Sequence, residues 1–160
     1  LGLHVIYLLL KFAHVVGATV ILGTGSGIAF FMLMAHRADN AEFIARTAGL
    51  VVLADTIFTA TAVLLQPVTG YLLMRQTGMT FAENWIAVSL LLYLVAGVFW
   101  LPVVWIQIRL RDLARAAVDA GTPLPAAYHR LFRIWLAFGF PGFGAVLAIL
   151  FLMVAKPVLT

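Results

Sequence analysis

An all-α, polytopic membrane protein built as an antiparallel four-helix transmembrane bundle is predicted by three observations. Hydrophobic residues make up 64% of the 160-residue chain and charged residues only 10%, with a mean hydropathy of +1.11, far more apolar surface than a soluble domain of this length can bury. The apolar residues fall in four runs, each longer than the roughly 20 residues that cross a hydrocarbon core of about 30 Å. The charges fall almost entirely between those runs, so the formal net charge of +4 reads as a topology signal and not as a nucleic-acid surface. With no cysteine, thiolate metal sites and cysteine-held iron–sulfur clusters are excluded.

The first helix is expected over residues 3–35. It is too long and too polar within for a cleavable signal peptide, so it is read as a helix of the folded protein. Tyr7, Lys11, His14, Ala18, Ile21, Gly25, Ala29, Met32 and His36 share one face at helical spacing. Gly23-Thr24-Gly25-Ser26-Gly27 lets another backbone or a flat ligand come close. The second helix is expected over residues 45–74, with Asp55, Thr59, Ala62 and Gln66 as its polar stripe, and the third over 84–108, with Ser89, Tyr93, Gly97, Trp100, Val104 and Gln107. A basic amphipathic extension is expected to carry the third helix to about residue 118, before a break at Gly121-Thr122-Pro123-Leu124-Pro125. The fourth helix is expected over 131–155. Pro67, Pro102 and Pro141 lie inside three of these helices and free the carbonyls of Val63, Val98 and Ala137, which must find other partners at membrane depth.

Loop charges orient the bundle. Arg37 and Arg46 flank one connection, and Arg109, Arg111, Arg115, Arg130 and Arg133 crowd another; the opposite side has Arg75 and Lys156. By the positive-inside rule the Arg-rich loops are expected in the cytoplasm and both termini outside a bacterial inner membrane, with the arginines meeting lipid headgroups.

His14 is the residue on which a function is expected to rest. An imidazole within a membrane span is costly unless paired or used. Its plain reading is a hydrogen bond to Gln66, Thr59 or a freed carbonyl; its sharper reading is an axial ligand to haem iron, in a pocket given close approach by Gly17 and Gly25 and lined by Gln66 and Asp55. Asp55 is read either as a proton-relay carboxylate or as paired with Arg109, Gln107 or Tyr93. His36 and His129 lie near the expected cytoplasmic ends of the first and fourth helices, where they could meet, and are either interfacial side chains or a second metal-ligand pair. His4 is expected on the outer surface.

Five runs carry a resemblance: Leu10 to Ala18 (LKFAHVVGA), Gln66 to Gly70 (QPVTG), Trp100 to Arg109 (WLPVVWIQIR), His129 to Arg133 (HRLFR) and Met153 to Pro157 (MVAKP). Over nearly the whole chain they resemble an uncharacterised bacterial family of predicted integral membrane proteins, domain of unknown function 2269. That resemblance implies the fold and no reaction. The layout of the first helix, Lys11-Phe12-Ala13-His14 followed by the glycine patch and His36, is similar to that of HemJ-type protoporphyrinogen oxidases and CopD-like membrane proteins. In the former a first-helix histidine binds haem b, which this likeness places on His14. The third helix here has no lysine or histidine, so the likeness extends to the cofactor and not to porphyrinogen oxidation.

Three functions are carried forward. The first is a haem b protein in electron transfer or a quinone- or porphyrin-linked oxidation. The second is a non-catalytic subunit packing through its glycine faces against a larger membrane complex or a second copy. The third is a metal or small-solute transporter.

Overall fold

The computed structural model describes residues 2–157, and among them every regular element is helical. Four long helices follow one another: α1 (Gly2–Arg37), α2 (Ala41–Thr77), α3 (Asn84–Ala120) and α4 (Ala126–Ala155), each long and apolar enough to cross a membrane. Helix α2 contains a five-residue π-turn, Asp55–Thr59, between α-helical stretches Ala41–Ala54 and Ala60–Thr77.

The boundaries follow local chemistry. Asn40 starts α2 by accepting the Phe43 N–H on its side chain at 2.9 Å, four residues before the expected start. Gly78 at φ 70° and Gly121 at φ 61° end α2 and α3 in the left-handed conformation that a side chain disfavours. Helix α4 begins at Ala126, directly after Pro125, and not at 131 as expected. Proline fixes the extended backbone that precedes a first helical turn, so Arg130 and Arg133 belong to the helix and not to the loop. All three internal prolines lie within continuous helix.

Helices α3 and α4 form the most extensive pair, α2 lies along α3, and α1 lies along α2 with a lighter contact to α4. At the Arg-rich end the four helices enclose a core of large side chains: Met32 from α1, Ile44 and Val51 from α2, Leu110 from α3, and Tyr128, Phe132 and Trp135 from α4. Ala35, Ala48 and Ala114 are fully buried between them, letting the backbones close up. Towards the other end the buried residues, Met74 apart, become small or hydroxylic: Thr59, Ala62, Thr69, Ser89, Ala96 and Ala145. The outward surface there is apolar. Leu3, Phe140 and Val154 are each more than 70% exposed, as suits lipid contact.

Helix α3, at 37 residues, is about 55 Å long, well over the hydrocarbon thickness. Arg109 and Arg133 mark where the apolar stretches of α3 and α4 stop, so the large-residue core stands at and beyond the headgroups, while the small-residue section lies in the hydrocarbon.

Candidate functional site

Two buried polar centres lie along α2, one with His14, Gly17 and Gln66 and the other with Asp55. The first joins α1 to the second half of α2. His14 Nδ1 is 2.8 Å from Thr69 Oγ1, and Thr69 in turn donates to the Leu65 carbonyl at 2.9 Å, with a longer contact to the Gln66 carbonyl at 3.2 Å. A hydroxyl has a single proton. With that proton committed to the backbone, Thr69 Oγ1 accepts from His14 Nδ1–H. This arrangement favours the tautomer in which Nε2 carries the lone pair.

Glycines bring the two helices together here. A Cβ at position 70 would lie 3.2 Å from His14 Cε1, and one at position 17 would lie 3.2 Å from Gln66 Cδ and Oε1. Gly17 and Gln66 thus face each other beside His14, as expected of a shared site, and Gln66 Oε1 is buried without a hydrogen-bond partner. Gly25 lies elsewhere, facing Phe143 of α4 at 3.9 Å. Thr69 is the member of this site that the sequence reading passed over. The signal was present, because the stripe Asp55, Thr59, Ala62, Gln66 continues by three residues to Thr69.

The second centre surrounds Asp55, which is 3% exposed. Trp135 Nε1–H only donates, so Gln107 Oε1 faces it at 3.2 Å and Gln107 Nε2 donates to Asp55 Oδ2 at 2.9 Å. Thr59 and Trp100 also reach the carboxylate. Neither Thr59 Oγ1 nor Trp100 Nε1 completes a hydrogen bond of ordinary geometry. The π-turn makes this arrangement, because its wider coil turns both Asp55 and Thr59 inward. Of the partners expected for Asp55, Gln107 is the one found. Tyr93 instead donates its hydroxyl proton to the Val63 carbonyl, one of those freed by proline, here Pro67.

The two centres are separate. Asp55 and Thr69 are 14 positions apart on one helix, about 21 Å along its axis, so Asp55 does not line a common pocket with His14. His36 and His129 do meet at the Arg-rich end, with ring centroids 5.9 Å apart. His36 stacks on Phe132 at 3.7 Å and its Nδ1 lies 3.3 Å from the Tyr128 hydroxyl. Among the described residues no group of three or more His, Cys, Asp or Glu is placed to hold a metal ion. Lys11 lies over the Tyr7 ring, and Lys156 over Trp85. His4 is exposed, as expected.

Four apolar helices with polar centres sealed between them define a polytopic helical membrane protein. The chain belongs to the family described as predicted integral membrane protein (DUF2269), whose family model matches residues 8–157. No curated protein and no solved structure matches it.

Proposed function

We propose that this protein binds haem b within the membrane through His14 and serves electron transfer or a quinone- or porphyrin-linked oxidation. The observation that carries this reading is the state of the imidazole. Its Nδ1–H is held by Thr69, which presents the lone pair on Nε2, the nitrogen an iron atom takes. Orientation of a ligating histidine by a hydrogen bond at its other nitrogen is the usual support for a metal site. Gly17 and Gly70 let the helices approach on either side of the imidazole, and the unpartnered Gln66 Oε1 offers an acceptor beside it. Bound there, haem would supply a one-electron carrier. The chain's own part is to hold Nε2 unprotonated, with Thr69 fixing the ring.

Topology belongs to the same reading. The Arg-rich end, with Arg37, Arg46, Arg109, Arg111, Arg115, Arg130 and Arg133, is the cytoplasmic face of a bacterial inner membrane, and both termini lie outside.

The test is an ultraviolet–visible spectrum of the protein purified from haem-replete cells, oxidised and dithionite-reduced, with a pyridine haemochrome assay. Near-stoichiometric haem b that is lost or spectrally altered in His14→Ala and retained in His4→Ala is the expected result. An unchanged haem spectrum in His14→Ala overturns the ligand assignment.

A second reading is favoured by one feature of α1. Beside Gly23 and Gly27 nothing lies within 4 Å of where a Cβ would stand, so this edge is open to another helix. Co-purification of a cofactor-free protein with a larger membrane complex, lost in Gly23→Leu, would favour an accessory subunit.

A further inference from the structure

The inward face of α2 has a property that neither polar centre explains alone. Asp55, Thr59, Gln66 and Thr69 follow one another at helical spacing, and the Tyr93 hydroxyl reaches the same face at Val63. Measured from Asp55 along the axis, these groups stand at about 6, 12, 16 and 21 Å, taking Thr59, Val63, Gln66 and Thr69 in turn. Thr59 itself reaches the Asp55 carboxylate, and the later axial steps of about 4–6 Å each fall within the span of one water molecule making a hydrogen bond of ordinary length on each side.

Unpartnered polar atoms mark the same line. Thr59 Oγ1 and Gln66 Oε1 are buried without a hydrogen-bond partner, as is Trp100 Nε1 beside Asp55. Thr59 is only 4% exposed. A polar atom left unpaired at this depth is costly in hydrocarbon, and buried polar groups of this kind are satisfied by ordered water. One end of the line is close to bulk solvent. Gln107 and Trp135, which hold Asp55, are each two residues from an arginine, Arg109 and Arg133. The other end, at Gln66, reaches the middle of the span beside Gly17 and His14.

We propose that this face of α2 is a proton-conducting half-channel, running from Asp55 at the Arg-rich end to Gln66 beside His14. A proton taken up by the Asp55 carboxylate is passed on along Thr59 and bridging water to the His14 imidazole, and the Tyr93 oxygen anchors that water as an acceptor while its own proton stays donated to the Val63 carbonyl. Each relaying oxygen accepts a proton on one side and gives one up on the other, so no charge is stranded on a hydroxyl and no electrons move. Gln66 anchors the last water and does not itself carry the proton. The half-channel requires no cofactor, so it stands or falls independently of the haem reading.

The His14 Nδ1–H is the natural reporter, because it sits at the inner terminus. The full chain, labelled with nitrogen-15 in its histidine rings and reconstituted in lipid bilayers, is transferred to heavy water. Loss of the His14 ring proton is then followed by solid-state NMR, with the signal assigned by its disappearance in His14→Asn. Thr59→Val, which keeps the side-chain shape, is expected to slow exchange by about tenfold or more, a barrier change of the size of one lost hydrogen bond. Asp55→Asn is expected to slow it likewise, Thr59→Ser to restore it, and Thr56→Val, on the exposed side of the same turn, to leave it unchanged. Should Asp55→Asn not fold, the Val and Ser replacements at position 59 decide alone. Equal exchange in wild type and Thr59→Val overturns the proposal, as does equal slowing by Thr56→Val, which would make exchange a matter of helix breathing.

Discussion

The two ends of the bundle are held together by different physics. At the Arg-rich end, Leu110, Tyr128, Phe132 and Trp135 fill the space between helices much as in a water-soluble protein, and their burial from water drives association. In the hydrocarbon section that drive is missing, because lipid tails are as apolar as leucine. There Ala62, Ala96 and Ala145 let helices touch, and hydroxyl and amide groups join them: Thr69 to His14, Tyr93 to the Val63 carbonyl. One chain thus changes its packing rule along a single helix, α2, at about the level of the π-turn. His14, Thr69 and Tyr93 fall on the second side of that divide, where polar groups are the means of cohesion.

This contrast can be broken by substitution. Leu110→Ala, at the fully buried centre of the large-residue core, should lower unfolding stability by about 2–5 kcal/mol in detergent titrations, whereas Leu94→Ala on the lipid-facing surface of the same helix should change it by roughly 0.5 kcal/mol or less. Equal effects would mean that the Arg-rich end is not a conventional core.

In the hydrocarbon section, Gly70→Ala should be more damaging than Gly17→Ala. A methyl at 70 meets an imidazole ring fixed by Thr69, while one at 17 meets the Gln66 amide, which can swing aside. A cost of about 1–3 kcal/mol at position 70, accompanied by a shifted His14 ring signal in NMR, is expected.

Tyr93→Phe should cost less, about 0.6 kcal/mol and no more than about 1.7, the range for hydrogen bonds between membrane helices. That cost should shrink in a Pro67→Ala background, where an N–H is restored to the Val63 carbonyl within α2. A double-mutant cycle without coupling would separate Tyr93 from the proline. Smallest of all is Glu42→Gln. It removes an exposed Arg46 pair at 2.6 Å and should leave the thermal midpoint within error.

Much of the architecture was legible because lipid imposes a coarse rule. Four apolar runs, the glycine stop at 121 and the polar stripes of α2 and α3 were readable from hydropathy, turn residues and 3.6-residue spacing, whereas the stop at Gly78 was not. The placing of His36 and His129 at the same end of the bundle was readable too, and the structure brings their rings together. Details that depend on a local departure were not readable. The π-turn at Asp55–Thr59 is one such departure, and nothing in the composition of DTIFT announces it. Separation of Asp55 from His14 depended on which α1 turn lies against which α2 turn, a register that spacing within one helix does not fix. Choice among Gln107, Arg109 and Tyr93 as partner of Asp55 turned on the Trp135 indole, which lies on another helix.

The hydrogen bond between His14 and Thr69 joins residues 55 positions apart, across a connection of three residues, Ala38 to Asn40. A ribosome finishes α1 well before it reaches Thr69. An imidazole sent into hydrocarbon alone is disfavoured, yet it loses that penalty once α2 lies beside it. Insertion of α1 and α2 as a helical hairpin is therefore the low-energy route into the bilayer. One hydrogen bond thus ties the insertion of the first helix to that of the second.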